Sequence, residues 1–176
     1  EGAESQGATA QKIYLNDLNI RPCQSCGSDP CPKHCLFDDD MTEIYELLKS
    51  CDAIVLGSPV YFDTVSAQTK LMIDRCNCLM PYVERADGTF GFERRMKKRK
   101  KGVFIAVGGS EQEFNIIQTT IEGFFSWANV ELDDTLRYRH DDNVLGGVKN
   151  NEEKMDKAHE IGVRLACKEE KSYPKQ

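Results

Sequence analysis

The chain has 176 residues, 40% of them hydrophobic and 30% charged, with a formal net charge of -6. That length buries the core of one domain, and the balance excludes a disordered chain, a collagen-like repeat and a disulfide miniprotein. No apolar run approaches the roughly 20 residues of a membrane helix, Glu1 to Gln11 is too polar for a secretory signal, and the acidic balance disfavours nucleic acid as a partner.

In chain order, Lys12 to Leu15 is a strand-like run closed by Asn16-Asp17. A cysteine-rich loop follows from Arg21 to Asp39, where Pro22, Gly27, Pro30 and Pro32 oppose regular structure. Asp40 and Glu43 form a capping box for a helix with Met41, Ile44, Tyr45, Leu48 and Cys51 on one face. Ala53 to Gly57 is a bare apolar run of the kind that fills a buried parallel strand.

After a Ser58-Pro59 turn, a second helix is expected from about Ser66, with Thr69, Met72, Ile73, Cys76, Leu79 and Met80 along one side. Pro81 to Lys101 reads as a long, polar, irregular excursion. Gly102 to Gly108 is another buried strand, and Ser110 with Glu113 caps a helix carrying Phe114, Ile117, Ile121, Phe124, Phe125 and Ala128. A further strand falls within Val130 to Tyr138, and Asn150 with Glu153 caps a last helix with Met155, Ala158, Gly162 and Leu165 facing inward. Strands alternating with helices predict a parallel sheet covered on both faces in one α/β domain over residues 1–176.

The eight cysteines are unusual, and four lie within 13 residues as Cys23-x2-Cys26-x4-Cys31-x3-Cys35. Thiols clustered in a chain without an export signal fit a reducing, cytoplasmic setting, where such groups commonly hold metal. Tight spacing favours a [4Fe–4S] cluster. Zinc, which usually takes two ligand pairs a dozen or more residues apart, is the alternative, and an unmetallated loop is the third reading. Cys51 and Cys76 fall on apolar helix faces as small hydrophobes, and Cys78 and Cys167 carry no partner signal.

Ligands of open α/β sheets bind beyond the carboxyl ends of the strands. Two such ends stand out, Gly57 to Gln68 and Val107 to Ser110. Tyr61 and Phe62 suit stacking on a planar ligand, and Gly108 with Gly109 lets a flat ring approach the backbone; a turn that only covers the sheet edge is the alternative. Arg94 to Lys101 holds seven cations in eight residues. A solvated run leading into a strand is its simplest reading, with an anionic redox partner next. No dinucleotide fingerprint, P-loop, nucleophile elbow or HExxH motif is present.

The stretch Gly57-Ser58-Pro59-Val60-Tyr61-Phe62-x3-Ser66-Ala67-Gln68-x-Lys70-x3-Asp74-Arg75 resembles the flavin-ring loop and following helix of NAD(P)H-dependent FMN reductase-like flavoproteins. The preceding cysteine loop and the later Ala106-Val107-Gly108-Gly109 resemble the iron–sulfur flavoprotein branch. The resemblance implies a flavodoxin-like, doubly wound α/β/α sandwich that binds FMN. Ser58, Pro59, Val60, Tyr61 and Phe62 would hold the isoalloxazine, Gly108 and Gly109 would line its other side, and Cys23, Cys26, Cys31 and Cys35 would ligate a [4Fe–4S] cluster.

It also implies a redox or electron-transfer function, NAD(P)H or a small redox carrier as partner, and a homodimer or homotetramer. A plain FMN oxidoreductase with zinc or no metal at the loop, and a noncatalytic metal-stabilised module without flavin, are the alternatives. Two features depart from the pattern. Four residues separate Cys26 from Cys31 where the branch usually has two, and Glu1 to Ala10 reads as the tail of a helix rather than a strand and phosphate loop. The expectation is a native chain longer by roughly 25–35 residues, the size of that strand, loop and helix.

Overall fold

In the computed structural model, residues 1–26, 35–140, 144 and 146–167 are described. Cys31, His34 and the pair Asp141-Asp142 lie outside them. The elements run α1 (Met41–Ser50), β1 (Ala53–Pro59), α2 (Ala67–Arg75), β2 (Tyr82–Glu84), β3 (Phe90–Phe92), β4 (Lys100–Gly108), α3 (Asn115–Trp127), β5 (Val130–Arg139) and α4 (Glu152–Ala166).

The main sheet is parallel, in the order β1-β4-β5. Its two faces follow from the alternation along β4. Phe104 and Ala106 share one continuous core with Leu56 of β1 and with the apolar stripes of α1, α2 and α3, namely Met41, Ile44 and Leu48, then Met72, then Ile117, Ile121 and Phe125. Val103 points the other way, toward the layer that holds α4. This is the expected α/β/α sandwich.

Coverage of the second face is uneven. Val103 is 1% exposed, whereas its ladder neighbour Val55 on β1 is 56% exposed. The bare apolar run of β1 therefore does not mark burial on both faces, because α4 packs over β5 and leaves the β1 side open. A bulge fixes α4 in place. The β4–β5 register shifts between Gly102 and Val103, so that Asp133 has no partner across the ladder. Asp133 and Asp134 consequently both reach Arg164 of α4, at 2.9 and 2.8 Å. On the same face the N-terminal segment lies against α4 at Gly2 and Gly162, whose backbones meet so closely that a Cβ on Gly162 would stand 3.0 Å from the Ala3 nitrogen.

Several local expectations change. Lys12 to Tyr14 is unpaired, and Leu15–Asp17 is a 3-10 turn; strand propensity is realised only beside an edge that offers hydrogen bonds, and this segment lies along none. Strand β1 runs on through Ser58 and Pro59, which are not a turn. Asp40 makes no side-chain cap bond to α1, and α3 begins at Asn115, five residues beyond Ser110. Asp39 accepts from the Met41 amide instead, while Asp63 takes the Glu113 amide and α3 starts later.

The last helix is capped by Asn151, one residue on, which accepts from the Lys154 amide. Met155 is exposed there, and Ile161 is the buried residue. The 81–101 excursion is not irregular throughout, because β2 and β3 form an antiparallel hairpin within it. Phe92 of that hairpin packs edge-on against Trp127.

Candidate functional site

The carboxyl ends of β1 and β4 open onto a cleft of about 410 Å3, within the range of small-molecule sites, roughly 300–1,000 Å3. Pro59, Val60 and Tyr61 form one wall, and Gly108 and Gly109 form the other. The walls are tied together. The Val60 amide donates to the Val107 carbonyl at 2.8 Å, extending the ladder past the end of the strand. The Glu113 amide donates to Asp63 Oδ1 at 2.9 Å, bridging the two loops.

Between Tyr61 and Thr64 the chain turns on reciprocal backbone bonds of 3.0 and 3.1 Å. Its two central residues, Phe62 and Asp63, both have left-handed backbones, with φ of 49° and 60°. An aromatic residue in that region is strained, and such strain gathers at functional loops. Phe62 is 98% exposed and does not line the cleft. Ser58 is buried beneath the wall, where its hydroxyl accepts from the Ser66 amide at 3.0 Å and fixes where α2 begins. Ser66 in turn caps α2 by accepting from the Thr69 amide.

Gly108 sits in tight quarters. A Cβ there would stand 2.9 Å from Gln112 Oε1 and 3.2 Å from Val60 Cβ. Gln112 Oε1 also accepts from the Gly109 amide at 2.7 Å, and the His140 amide donates to the Gly108 carbonyl at 3.0 Å. Gln112 and His140 line the cleft; sequence reasoning passed over Gln112 and read His140, with Asp141-Asp142, as a polar turn rather than a metal site. His140 follows β5 directly, so the strand-end rule applied to a third strand points to it.

The second candidate site is the cysteine loop. Cys23 and Cys35 are half-buried, Cys26 is exposed, and all three are free of disulfides; Cys31 lies outside the described residues. Among the described residues, no three metal-binding side chains are gathered as a ligand group. The donor set is nonetheless all sulfur, the chemistry that suits an iron–sulfur cluster or zinc. The loop is pinned at its base. Arg75 Nη1 donates to the Arg21 carbonyl at 2.8 Å and to Asp39 Oδ2, while Nη2 donates to Asp39 Oδ1 at 3.0 Å. Burial works against the Asp39 carboxylate, but the Arg75 hydrogen bonds and the Arg21 and Met41 amides outweigh it, so the group lies below the usual carboxylate range.

Cys51, Cys76 and Cys78 sit in or against packed parts of the fold, whereas Cys167 is exposed. Cys76 is buried in the core, and burial pushes its thiol well up. Burial also raises Cys51. Cys78 donates to the Arg75 carbonyl at 3.3 Å.

The sequence profile of NADPH-dependent FMN reductases matches residues 1–130. The chain belongs to this family. Among relatives of this FMN reductase-family chain, an iron–sulfur flavoprotein of Methanocaldococcus jannaschii is 32% identical over 170 residues, covering 92% of this chain and 81% of the relative. One from Archaeoglobus fulgidus is 41% identical over 108 residues, covering 60% and 49%. One from Methanosarcina thermophila is 29% identical over 133 residues, covering 74% and 61%.

The family chain thus spans about half to two thirds of the length of those last two relatives. In structure it is similar to a flavone reductase, with a TM-score of 0.68 at 21% identity over 94% of this chain and 54% of that one. It is also similar to an archaeal flavodoxin, with a TM-score of 0.51 at 13% identity over 94% and 80%. These likenesses establish the flavodoxin-like fold of the family chain. No helix among its described residues is long and apolar enough to cross a membrane.

Proposed function

We propose that the chain is an FMN-dependent oxidoreductase that exchanges electrons between NAD(P)H, or a small redox carrier, and a metal centre held by the cysteine loop. One observation carries the flavin part: the cleft at the ends of β1 and β4 is walled by an aromatic-bearing loop on one side and a bare Gly108-Gly109 backbone on the other. Pro59, Val60 and Tyr61 offer a planar ring an apolar face. Gly108 and Gly109 keep side chains from the opposite approach. Ser58 acts from beneath, holding the loop through the Ser66 amide. When bound, FMN supplies the step between hydride-pair and single-electron chemistry; the protein's part is to position the ring, screen it from water on one face and fix the amides around it.

The names of the relatives and the sulfur-only donor set support a [4Fe–4S] cluster at Cys23, Cys26, Cys31 and Cys35. The family's assembly into dimers or tetramers carries over as part of the same proposal. Anaerobic purification with FMN, followed by iron, zinc and acid-labile sulfide analysis, tests it. Iron and sulfide in near-equal amounts, with a broad visible absorption that bleaches on adding NAD(P)H or dithionite, is the expected result. Zinc without iron would establish the plain FMN oxidoreductase instead. A colourless protein that takes up neither metal nor FMN would be a noncatalytic module.

A further inference from the structure

Arg75 is the largest fully buried side chain among the described residues, at 1% exposure. An arginine at the end of a surface helix ordinarily extends into water, and withdrawing its charge carries a desolvation cost that a packed apolar residue avoids. Here the guanidinium is committed to two segments far apart in sequence, bonding the Arg21 carbonyl and both oxygens of Asp39. Asp39 closes the ring by accepting from the Arg21 amide at 3.0 Å. The Phe37 ring lies against both guanidinium groups, 4.1 Å from that of Arg21 and 4.9 Å from that of Arg75.

Arg21 and Asp39 are the two ends of the segment that carries all four clustered cysteines. The backbone of Arg75 is fixed as well, since its carbonyl accepts from the Tyr45 hydroxyl at 2.8 Å. The Nε–H of the same guanidinium has no hydrogen-bond partner among the described residues.

We infer that Arg75 is a positioning residue for metal capture: it clasps the two stems of the cysteine loop at Arg21 and Asp39. The inference rests on reading the loop as a metal site. Its physical basis is preorganisation. Bringing the ends of a long loop together has an entropy cost that metal binding must otherwise overcome, and a loop already closed at its base binds more tightly and releases more slowly.

The test compares metal release from anaerobically reconstituted wild type, Arg75→Lys, and the double variant Arg75→Met/Asp39→Leu. The double variant removes both partners, so no charge is left buried alone; the lysine variant keeps the charge but not the fork. Release is followed with bathophenanthroline disulfonate for iron or a pyridylazo dye for zinc, well below the melting temperature, with FMN affinity measured in parallel. Expected are release about 10-fold or more faster in the double variant, an intermediate rate in Arg75→Lys, and FMN affinity within about 2-fold of wild type. Weaker FMN binding in step with faster release would indicate a general packing role and overturn the inference. A folded variant releasing metal at the wild-type rate would overturn it too, and if the double variant does not fold, Arg75→Lys alone decides. Wild type that holds neither iron nor zinc would overturn the metal reading itself, a result distinct from the failure of the clasp.

Discussion

Ser66 and Arg75 stand at opposite ends of one helix, the first capping α2 at the cleft and the second closing the base of the cysteine loop. The helix has 9 residues, so Ser66 and Arg75 are separated along it by roughly 13 Å, at about 1.5 Å per residue. One short helix therefore links the loop that walls the cleft to the base of the cysteine loop.

The Arg75–Asp39 pair makes the first prediction. Both side chains are almost wholly buried, at 0% and 3% exposure. Asp39→Ala leaves the guanidinium buried without its counter-charge and is expected to cost about 3–5 kcal/mol, whereas the double variant Arg75→Met/Asp39→Leu loses far less. Urea unfolding of the three proteins checks this.

The same pair gives the protein an acid dependence. Because the Asp39 carboxyl is held lower in the folded state than in the unfolded chain, its contribution is complete above the unfolded value, roughly 3.9, and is lost as pH falls through the folded one. The stability gap between wild type and the double variant is therefore expected to be constant from about pH 7 to 5 and to shift against wild type below about pH 4. A gap that stays constant across the acid range would show that Asp39 contributes no such linkage.

Lys100 yields a prediction of the opposite kind. It is 2% exposed, its ammonium donates to the Lys98 carbonyl at 2.9 Å, and burial pushes its pKa down. Lys100→Met should stabilise the fold by about 1 kcal/mol at pH 7, because an imperfectly paired buried cation is replaced by an apolar side chain of similar shape. A lysine titrating lower in the folded than in the unfolded state destabilises most where both are charged, so the advantage of Met should shrink as pH rises toward about 10. Denaturation midpoints at neutral and alkaline pH provide the comparison.

Phe62 offers a local test of strain. It is almost wholly exposed with φ at 49°, so replacing it sacrifices little packing. Asparagine tolerates the left-handed region, and Phe62→Asn is expected to gain about 0.5–1 kcal/mol. Phe62→Val, β-branched in the same conformation, should lose stability. Equal stability of the two variants would mean that the turn relaxes when the ring is removed.

Much of this fold was legible because parallel strands are often written as bare apolar runs, and Ala53 to Gly57 and Gly102 to Gly108 are such runs, although only the second lies inside the sheet. The helix starting at Ser66 was equally plain, its cap falling in sequence directly before the apolar stripe. Capping elsewhere went astray because the acceptors came from unexpected places. Asp39 rather than Asp40 serves α1, and Asp63, fifty residues away, takes the Glu113 amide. Long-range hydrogen bonds leave no local pattern to read.

The basic run shows the same limit. Lys98 pairs with Asp52, Arg99 with Glu131, and Arg94 donates to the Ser126 carbonyl at the end of α3. What looks like one charged stretch is a set of separate staples. In the cleft, Gly108 and Tyr61 were visible as types suited to a flat ligand. Gln112 and His140 carried no motif and became candidates only when the chain brought the ends of β4 and β5 together.

The most direct measurement of the central claim is an FMN fluorescence titration of wild type against Gly108→Val. The valine side chain would occupy the space between Gln112 and Val60, where even a Cβ is within 2.9 Å of the glutamine oxygen. The account predicts saturable quenching at one FMN per chain in wild type, weakened by at least about 10-fold, or 1.4 kcal/mol, in the folded variant. Undiminished FMN binding by folded Gly108→Val, or no binding by wild type, would contradict a flavin site at the ends of β1 and β4.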